Sequence, residues 1–392
     1  MQPGPMHSKY LVIGVDFFSD IGNKFIGLIL LDLLVFKGGS ALSSLVLLCV
    51  IDQLPSVLLS PFAGIYIDRV GPKKWLMFVN ISKCVFVAAI AATTSRWMIF
   101  PVYFCFILAS LFFSIGRLSL VPMLIPKNRL MAFNALNERI AIAGGILSPW
   151  LIGMVLEKTG RTTALGLAGL IFALTLLLIA GLPELNKSRP AEKSGQVVNP
   201  KTGRLFSGTR AAFHGCHINY IYFLMLGFVL LGGGVLNIGL PFYFKTNLNG
   251  DIARWGFIMS AFQAGAFSAT LLLPICEARL RQQAIPSFSF LLLGGAMFVL
   301  PYAANYLQVS VLMVLLGCGF TMLHIFWESL IQQYSPRHMM GKTMSLLSSY
   351  KGLCYLGTVL AGSVISSFWG AESFLMIGSL IVGSAVFIPQ KQ

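Results

Sequence analysis

The chain has 392 residues, of which 56% are hydrophobic and only 10% charged, with a mean hydropathy of +0.81 and a formal net charge of +15. Soluble domains carry about 25% charged residues, so this composition excludes a protein that lives in water. The positive charge sits mostly in short loops on one side of the apolar runs, which speaks against nucleic acid as a partner and for a bilayer.

Apolar runs of about 20 residues recur along the chain, each long enough to cross a bilayer as a helix. Because backbone groups in lipid must be satisfied internally, the spans are helices. They fall at 9–36, 41–66, 75–94, 98–125, 131–156, 162–183, 214–245, 252–276, 285–304, 307–333, 342–366 and 371–389. The expected fold is therefore all-α and integral to the membrane, with twelve transmembrane helices in two pseudo-symmetric six-helix bundles. Asp16, Asp20 and Lys24 interrupt the first apolar stretch, which reads as a span rather than a cleaved signal. Between the sixth and seventh spans lies one long polar segment, 184–213, rich in Pro, Gly, Ser and bases. It reads as a linker. The expected organisation is a bundle over 1–183, a cytoplasmic linker over 184–213 and a second bundle over 214–392.

With a cytoplasmic N-terminus, 17 loop bases fall on the cytoplasmic side and 6 on the other. That asymmetry puts both termini and the linker in the cytoplasm, and the expected location is the plasma (inner) membrane. The halves also repeat: "IPKNRLMAFNAL" at 125–136 is similar to "SPRHMMGKTMSL" at 335–346, an offset of 210. Parallel six-helix repeats are a transporter architecture with a substrate site near mid-membrane.

The polar stretch "GIYIDRVGPKKW", Gly64 to Trp75, falls at the cytoplasmic turn between spans two and three. Gly71-Pro72 suits a tight turn, and Arg69, Lys73 and Lys74 hold it on that side. Its spacing, with Gly64, Asp68, Arg69, Gly71, Lys73 and Lys74 in place, resembles the loop signature of the major facilitator superfamily. "GRLSLVPMLIPKNRLMAFNAL" and "LIQQYSPRHMMGKTMSL" further resemble its twelve-span drug/proton antiporter branch, the macrolide-efflux and siderophore-exporter type. "GGILSPWLIG" at 144–153 is similar to the antiporter signature of span five, with Ser148 and Ile152 where that signature prefers Gly. The resemblance implies a gate latch at this loop, with Asp68 its anionic member. It implies proton-coupled export of a small organic molecule such as a drug or siderophore. An uptake carrier, a lysophospholipid transporter and a non-transporting membrane sensor or scaffold remain open alternatives.

Ionisable residues within spans are costly and mark function by default. Asp16, Asp20 and Lys24 recur every four residues and share one helix face, with Asn23 and Gly27 beside it. Such a face cannot point at lipid, so it is expected on a cavity. Asp20 and Asp52 fall at similar depths on adjacent helices, where two carboxylates cannot both ionise easily. A carboxyl that gains and loses a proton as access alternates is what proton coupling needs. The competing reading is an internal salt bridge, Asp20–Lys24 or Lys24–Asp52. Arg117 and Glu138 lie about 12 and 10 Å from the cytoplasmic ends of spans four and five. Glu328 and Lys351 occupy comparable depths in spans ten and eleven, so two pseudo-symmetric charge pairs, Arg117–Glu138 and Glu328–Lys351, are expected. The seven cysteines are scattered singly, without metal or redox spacing. "HGCH" at His214 to His217 is too small a ligand set to argue a metal. No catalytic constellation or phosphate-binding loop appears, so an enzyme is not expected. An ion gradient, in protons, is expected to drive a monomer with no cofactor.

Overall fold

The computed structural model describes residues 5–37, 42–70, 72–93, 95–125, 130–183, 236–248, 250–279, 284–334, 340–370 and 372–386. Among these residues the regular structure is helical throughout. Helix α1 (Pro5–Leu31) runs into a π-helical turn, Asp32–Phe36. It is followed by α2 (Leu42–Val70), α3 (Pro72–Ala92), α4 (Arg96–Leu124) and α5 (Leu130–Ala180). After them come a helix over 236–247, here α6, then α7 (Ile252–Arg279), α8 (Ala284–Val299), a 3₁₀ turn at Leu300–Tyr302, α9 (Tyr306–Tyr334), α10 (Met340–Trp369) and α11 (Glu372–Val386). Seven of these helices are long and apolar enough to span a bilayer, and Ser43–Leu59 and Glu372–Gly383 are shorter apolar segments. Large apolar side chains such as Phe78, Trp97, Leu177 and Val311 are more than half exposed on the helix surfaces, as contact with lipid requires.

The spans expected at 131–156 and 162–183 are the two limbs of α5. They turn at Gly160, whose φ of 83° and ψ of 179° suit only a residue without Cβ. The turn from α2 to α3 is as tight as Gly71-Pro72 implies: α2 ends at Val70, and Pro72 opens α3, where its missing N–H costs nothing. The linker expected at 184–213 and most of span seven lie outside the described residues.

Contacts divide the chain into two compact units, Met1–Lys187 with Phe244–Gln263, and Ser188–Tyr243 with Ala264–Gln392. In the first, α1 packs along α5, α3 lies against α4 and α5, and α2 against α4. Polar side chains fasten this bundle where apolar contact alone would slide. Asn80 Nδ2 donates to the Phe172 carbonyl at 2.7 Å, and Arg161 donates to the Ile90 carbonyl at 2.7 Å. In the second unit α8 packs on α9 and α11. Gly294 and Gly378 meet where α8 crosses α11: a Cβ on either would come within 2.8 Å of the other's carbonyl oxygen. Small residues at such crossings let helix backbones approach where lipid supplies no hydrophobic drive.

Candidate functional site

The chemistry of the first unit gathers on α1. Asp16, Ser19, Asp20, Asn23 and Lys24 recur at three- and four-residue intervals and form one polar face. Opposite them α4 presents Ser110, Ser114 and Arg117, again at helical spacing, together with Phe113. The first limb of α5 supplies Asn137, Ala141 and Ile142, and α7 supplies Gln263. These residues line an open cavity of about 380 Å³. Gly145 on α5 keeps part of it open, since a Cβ there would press within 3.4 Å of Gln263 and of Lys24 Nζ.

Two acid–base pairs line the cavity one helical turn apart on α1. Arg117 Nε lies 2.9 Å from Asp16 Oδ1, and Asn137 Nδ2 donates to Asp16 Oδ2 at 2.6 Å. Both oxygens of Asp16 are thus engaged, from α4 and from α5. Lys24 Nζ donates to Asp20 Oδ2 at 2.6 Å, a pair within one helix. Low dielectric makes an unpaired charge expensive here, and each of the four is neutralised by its neighbour.

Behind the wall sits Lys83 of α3, wholly buried. Its Nζ donates to Ser19 Oγ at 3.2 Å and to Asn23 Oδ1 at 3.1 Å, and lies 4.5 Å from the centre of the Phe113 ring. Among the described residues its acceptors are neutral oxygens and aromatic faces, with no carboxylate in ion-pair contact. Ser110 Oγ lies 3.2 Å from Asn23 Oδ1 and 3.0 Å from the Phe106 carbonyl, and its single proton serves one of them at a time. Lys83 can only donate, so its contact fixes which end of Asn23 is the oxygen and turns the NH₂ elsewhere.

Several expected partnerships come out differently. Asp20 sits on Lys24, and Asp52 is not in the cavity lining. Asp52 accepts from Tyr103 Oη at 3.3 Å and from Gln53 Nε2 at 3.2 Å, because α2 packs on α4 and turns that face toward Tyr103. The expected carboxylate pair is therefore replaced by two separately hydrogen-bonded groups. Arg117 is held by Asp16; the side chain of Glu138, its expected partner, lies outside the described residues, as does that of Glu328. Lys351 Nζ is 2.9 Å from His324 Nε2. In the loop signature, Gly64, Asp68 and Arg69 occupy the last turns of α2, with the side chains of Asp68 and Arg69 and the whole of Gly71 outside the described residues. Lys74 is exposed, whereas Lys73 donates to the carbonyls of Ala180, at 2.9 Å, and Leu182, closing the end of α5. His214 to His217 lie outside the described residues, and among the described ones no group of three His, Cys, Asp or Glu side chains is placed to hold a metal.

Sequence reasoning passed over Ser19, Ser110, Ser114, Asn137 and Gln263, and gave Lys83 no role. Ser110, Ser114 and Arg117 carried a usable signal, a polar stripe at helical spacing inside an apolar span. Gln263 carried none beyond its polarity.

The family model described as Major Facilitator Superfamily matches residues 13–358. No curated protein matches the sequence. Among solved structures, a POT family transporter in complex with a thioalcohol conjugated peptide is similar, with a TM-score of 0.76 and 14% identity over 97% of this chain and 95% of that one. The nucleoside transporter NupG gives 0.73 and 14% over 97% of each chain. A bacterial homologue of the iron transporter ferroportin in the inward-facing state gives 0.72 and 16% over 99% of this chain and 100% of that one. At such identities the likeness speaks for the fold alone, but the family model covers most of the sequence. The chain belongs to the major facilitator superfamily, an all-helical membrane transporter and not an enzyme.

Proposed function

We propose that this transporter is a proton-coupled exporter of a small organic molecule, of the drug/proton antiporter branch. It works by alternating access as a monomer in the plasma (inner) membrane, with both termini cytoplasmic. The observation that carries the proposal is the pair of ion pairs, Asp16–Arg117 and Asp20–Lys24, on the wall of a cavity inside a bundle of membrane-spanning helices. Spanning charges are retained at a cost of several kcal/mol only where they work. A carboxylate already held by a cation gives up that partner when a proton or a cationic substrate group arrives. Because proton and substrate compete for the same oxygen, each favours departure of the other, which is the logic of exchange. Asp20, 43% exposed at its side chain, is the better placed of the two for this role. The loop carrying Asp68 is the gate, a role supported by its match to the superfamily signature.

The test is flux in sealed proteoliposomes under an imposed pH gradient, with a panel of candidate compounds. Substrate movement against the proton gradient supports the proposal, and Asp20→Asn abolishes that coupling while the protein still reaches the membrane. Saturable binding with neither proton nor substrate flux in the wild type refutes it.

A further inference from the structure

We infer that the cavity on α1 takes a small hydrophilic zwitterion, a primary amine and a carboxylate on one short skeleton. The inference rests on the transporter reading of the same cavity and names its substrate class.

Two unused poles carry it. Arg117 engages Asp16 through Nε, and no hydrogen bond among the described residues occupies its terminal Nη groups. A guanidinium edge with free N–H groups is the geometry that receives a carboxylate in two parallel hydrogen bonds. Asp20 accepts from Lys24 at Oδ2, and its Oδ1 has no hydrogen-bond partner among the described residues. A free carboxylate oxygen is an acceptor for an ammonium. The residues that set the two poles, Asp16 and Asp20, are four positions apart on α1, about 6 Å along its axis. An α-, β- or γ-amino acid reaches from one pole to the other, and a ligand with a single charge leaves one pole unanswered. The amide NH₂ of Asn23, whose oxygen end is fixed by Lys83, adds a further donor on the same wall.

The lining also argues against the alternatives. Apart from Phe113, Ala141 and Ile142 it is polar or charged, whereas a lipophilic drug needs a mostly apolar pocket. A quaternary ammonium needs an aromatic cage. Among the described residues its lining has one ring, Phe113, whose face is already met by Lys83 at 4.5 Å. The ammonium is therefore expected to be one that donates hydrogen bonds.

The test is equilibrium binding to the full-length protein purified in detergent. The probes are L-alanine and 4-aminobutanoate; their charge-deleted counterparts ethylamine, propanoate, butylamine and butanoate; and tetraphenylphosphonium as a lipophilic cation. At least one zwitterion is expected to bind tenfold or more tightly than either of its counterparts. Arg117→Gln and Asp20→Asn should each weaken it about tenfold. Asp20→Asn leaves the Asp16–Arg117 pair intact, so it remains informative should Arg117→Gln fail to fold. The inference is overturned if neither zwitterion binds, or if a counterpart or tetraphenylphosphonium binds as tightly. Zwitterion binding without flux in proteoliposomes would sink the transport reading and leave this one standing. Proton-driven flux of tetraphenylphosphonium with no zwitterion binding would do the reverse.

Discussion

Breaking the Asp16–Arg117 contact is the sharpest probe of the site. Arg117→Gln leaves Asp16 with only its neutral bond from Asn137, and Asp16→Asn leaves Arg117 without a counter-charge. The side chains of Arg117 and Asp16 are 20% and 21% exposed, so water screens part of either stranded charge. The cost falls below the ~3–5 kcal/mol of breaking a fully buried pair. It lies above the ~0.2–1 kcal/mol of a surface pair. Neutral interhelical hydrogen bonds in lipid average about 0.6 kcal/mol, and charge-assisted ones are roughly twice as strong. A coupling energy of about 2 kcal/mol follows, about thirtyfold in the unfolding equilibrium. The assay is a double-mutant cycle: wild type, Asp16→Asn, Arg117→Gln and the double variant, unfolded reversibly by SDS in mixed micelles. The double variant should lie close to one single variant instead of at their sum. Additivity within about 0.5 kcal/mol would refute the contact. So would rescue of Arg117→Glu by Glu138→Arg while Asp16→Arg fails to rescue Arg117→Asp.

Three further outcomes are expected. Gly160→Ala, at φ 83°, should destabilise the protein by about 1–3 kcal/mol in the same titration. Gly166→Ala, where a Cβ meets nothing within 4 Å, should be neutral or slightly stabilising, and equal effects would remove the backbone argument. Gly378→Ala should cost about 1–3 kcal/mol, because its Cβ would lie 2.7 Å from the Phe298 nitrogen and 2.8 Å from the Gly294 carbonyl oxygen, both backbone atoms that cannot rotate away. Lys83→Met loses two charge-assisted hydrogen bonds, about 1.5–3 kcal/mol each, and is relieved of a desolvation cost of several kcal/mol. Its melting temperature should therefore shift by only a few degrees while binding at the cavity weakens, since Asn23 loses the ammonium donor that orients it; unchanged binding would show that Lys83 only fills space.

The helices were readable because a bilayer imposes length and apolarity on each, and because Gly71-Pro72 marks a turn with backbone chemistry that few other residues share. The polar stripe on α1 was readable for a related reason: four-residue spacing puts Asp16, Asp20 and Lys24 on one face whatever surrounds the helix. Partners across helices were not readable. Depth along a span can be counted from residue numbers, and by depth Glu138 suits Arg117 and Asp52 suits Asp20. Rotation of each helix about its axis is set by packing, and it turns Asp16 to Arg117 and Asp52 to Tyr103. Lys83 shows the same limit. Its sequence neighbours are those of any span lysine, and only the approach of Ser19, Asn23 and Phe113 from two other helices gives it a place.

On the proposed mechanism, Lys73 ties the loop signature to the helix pair that also carries part of the cavity wall. The loop that begins at Gly71 is tied by Lys73 to the Ala180 and Leu182 carbonyls, at the end of the second limb of α5. The first limb of α5 carries Asn137, which grips Asp16. Loop and ion pair are thus attached to the two limbs of a single helical hairpin, both far from its turn at Gly160. On the proposed mechanism, a ligand held between the Arg117 Nη groups and Asp20 draws on Asp16 through Arg117, and Asn137 passes that pull to the first limb. The hairpin is then free to shift at the end where Lys73 holds the gate. Conversely, Lys73→Met should leave equilibrium binding at the cavity unchanged and slow transport, because it removes the tie to the gate without touching the wall. A parallel loss of affinity and rate would mean that Lys73 supports the fold of the whole bundle, and the mechanical link would fall.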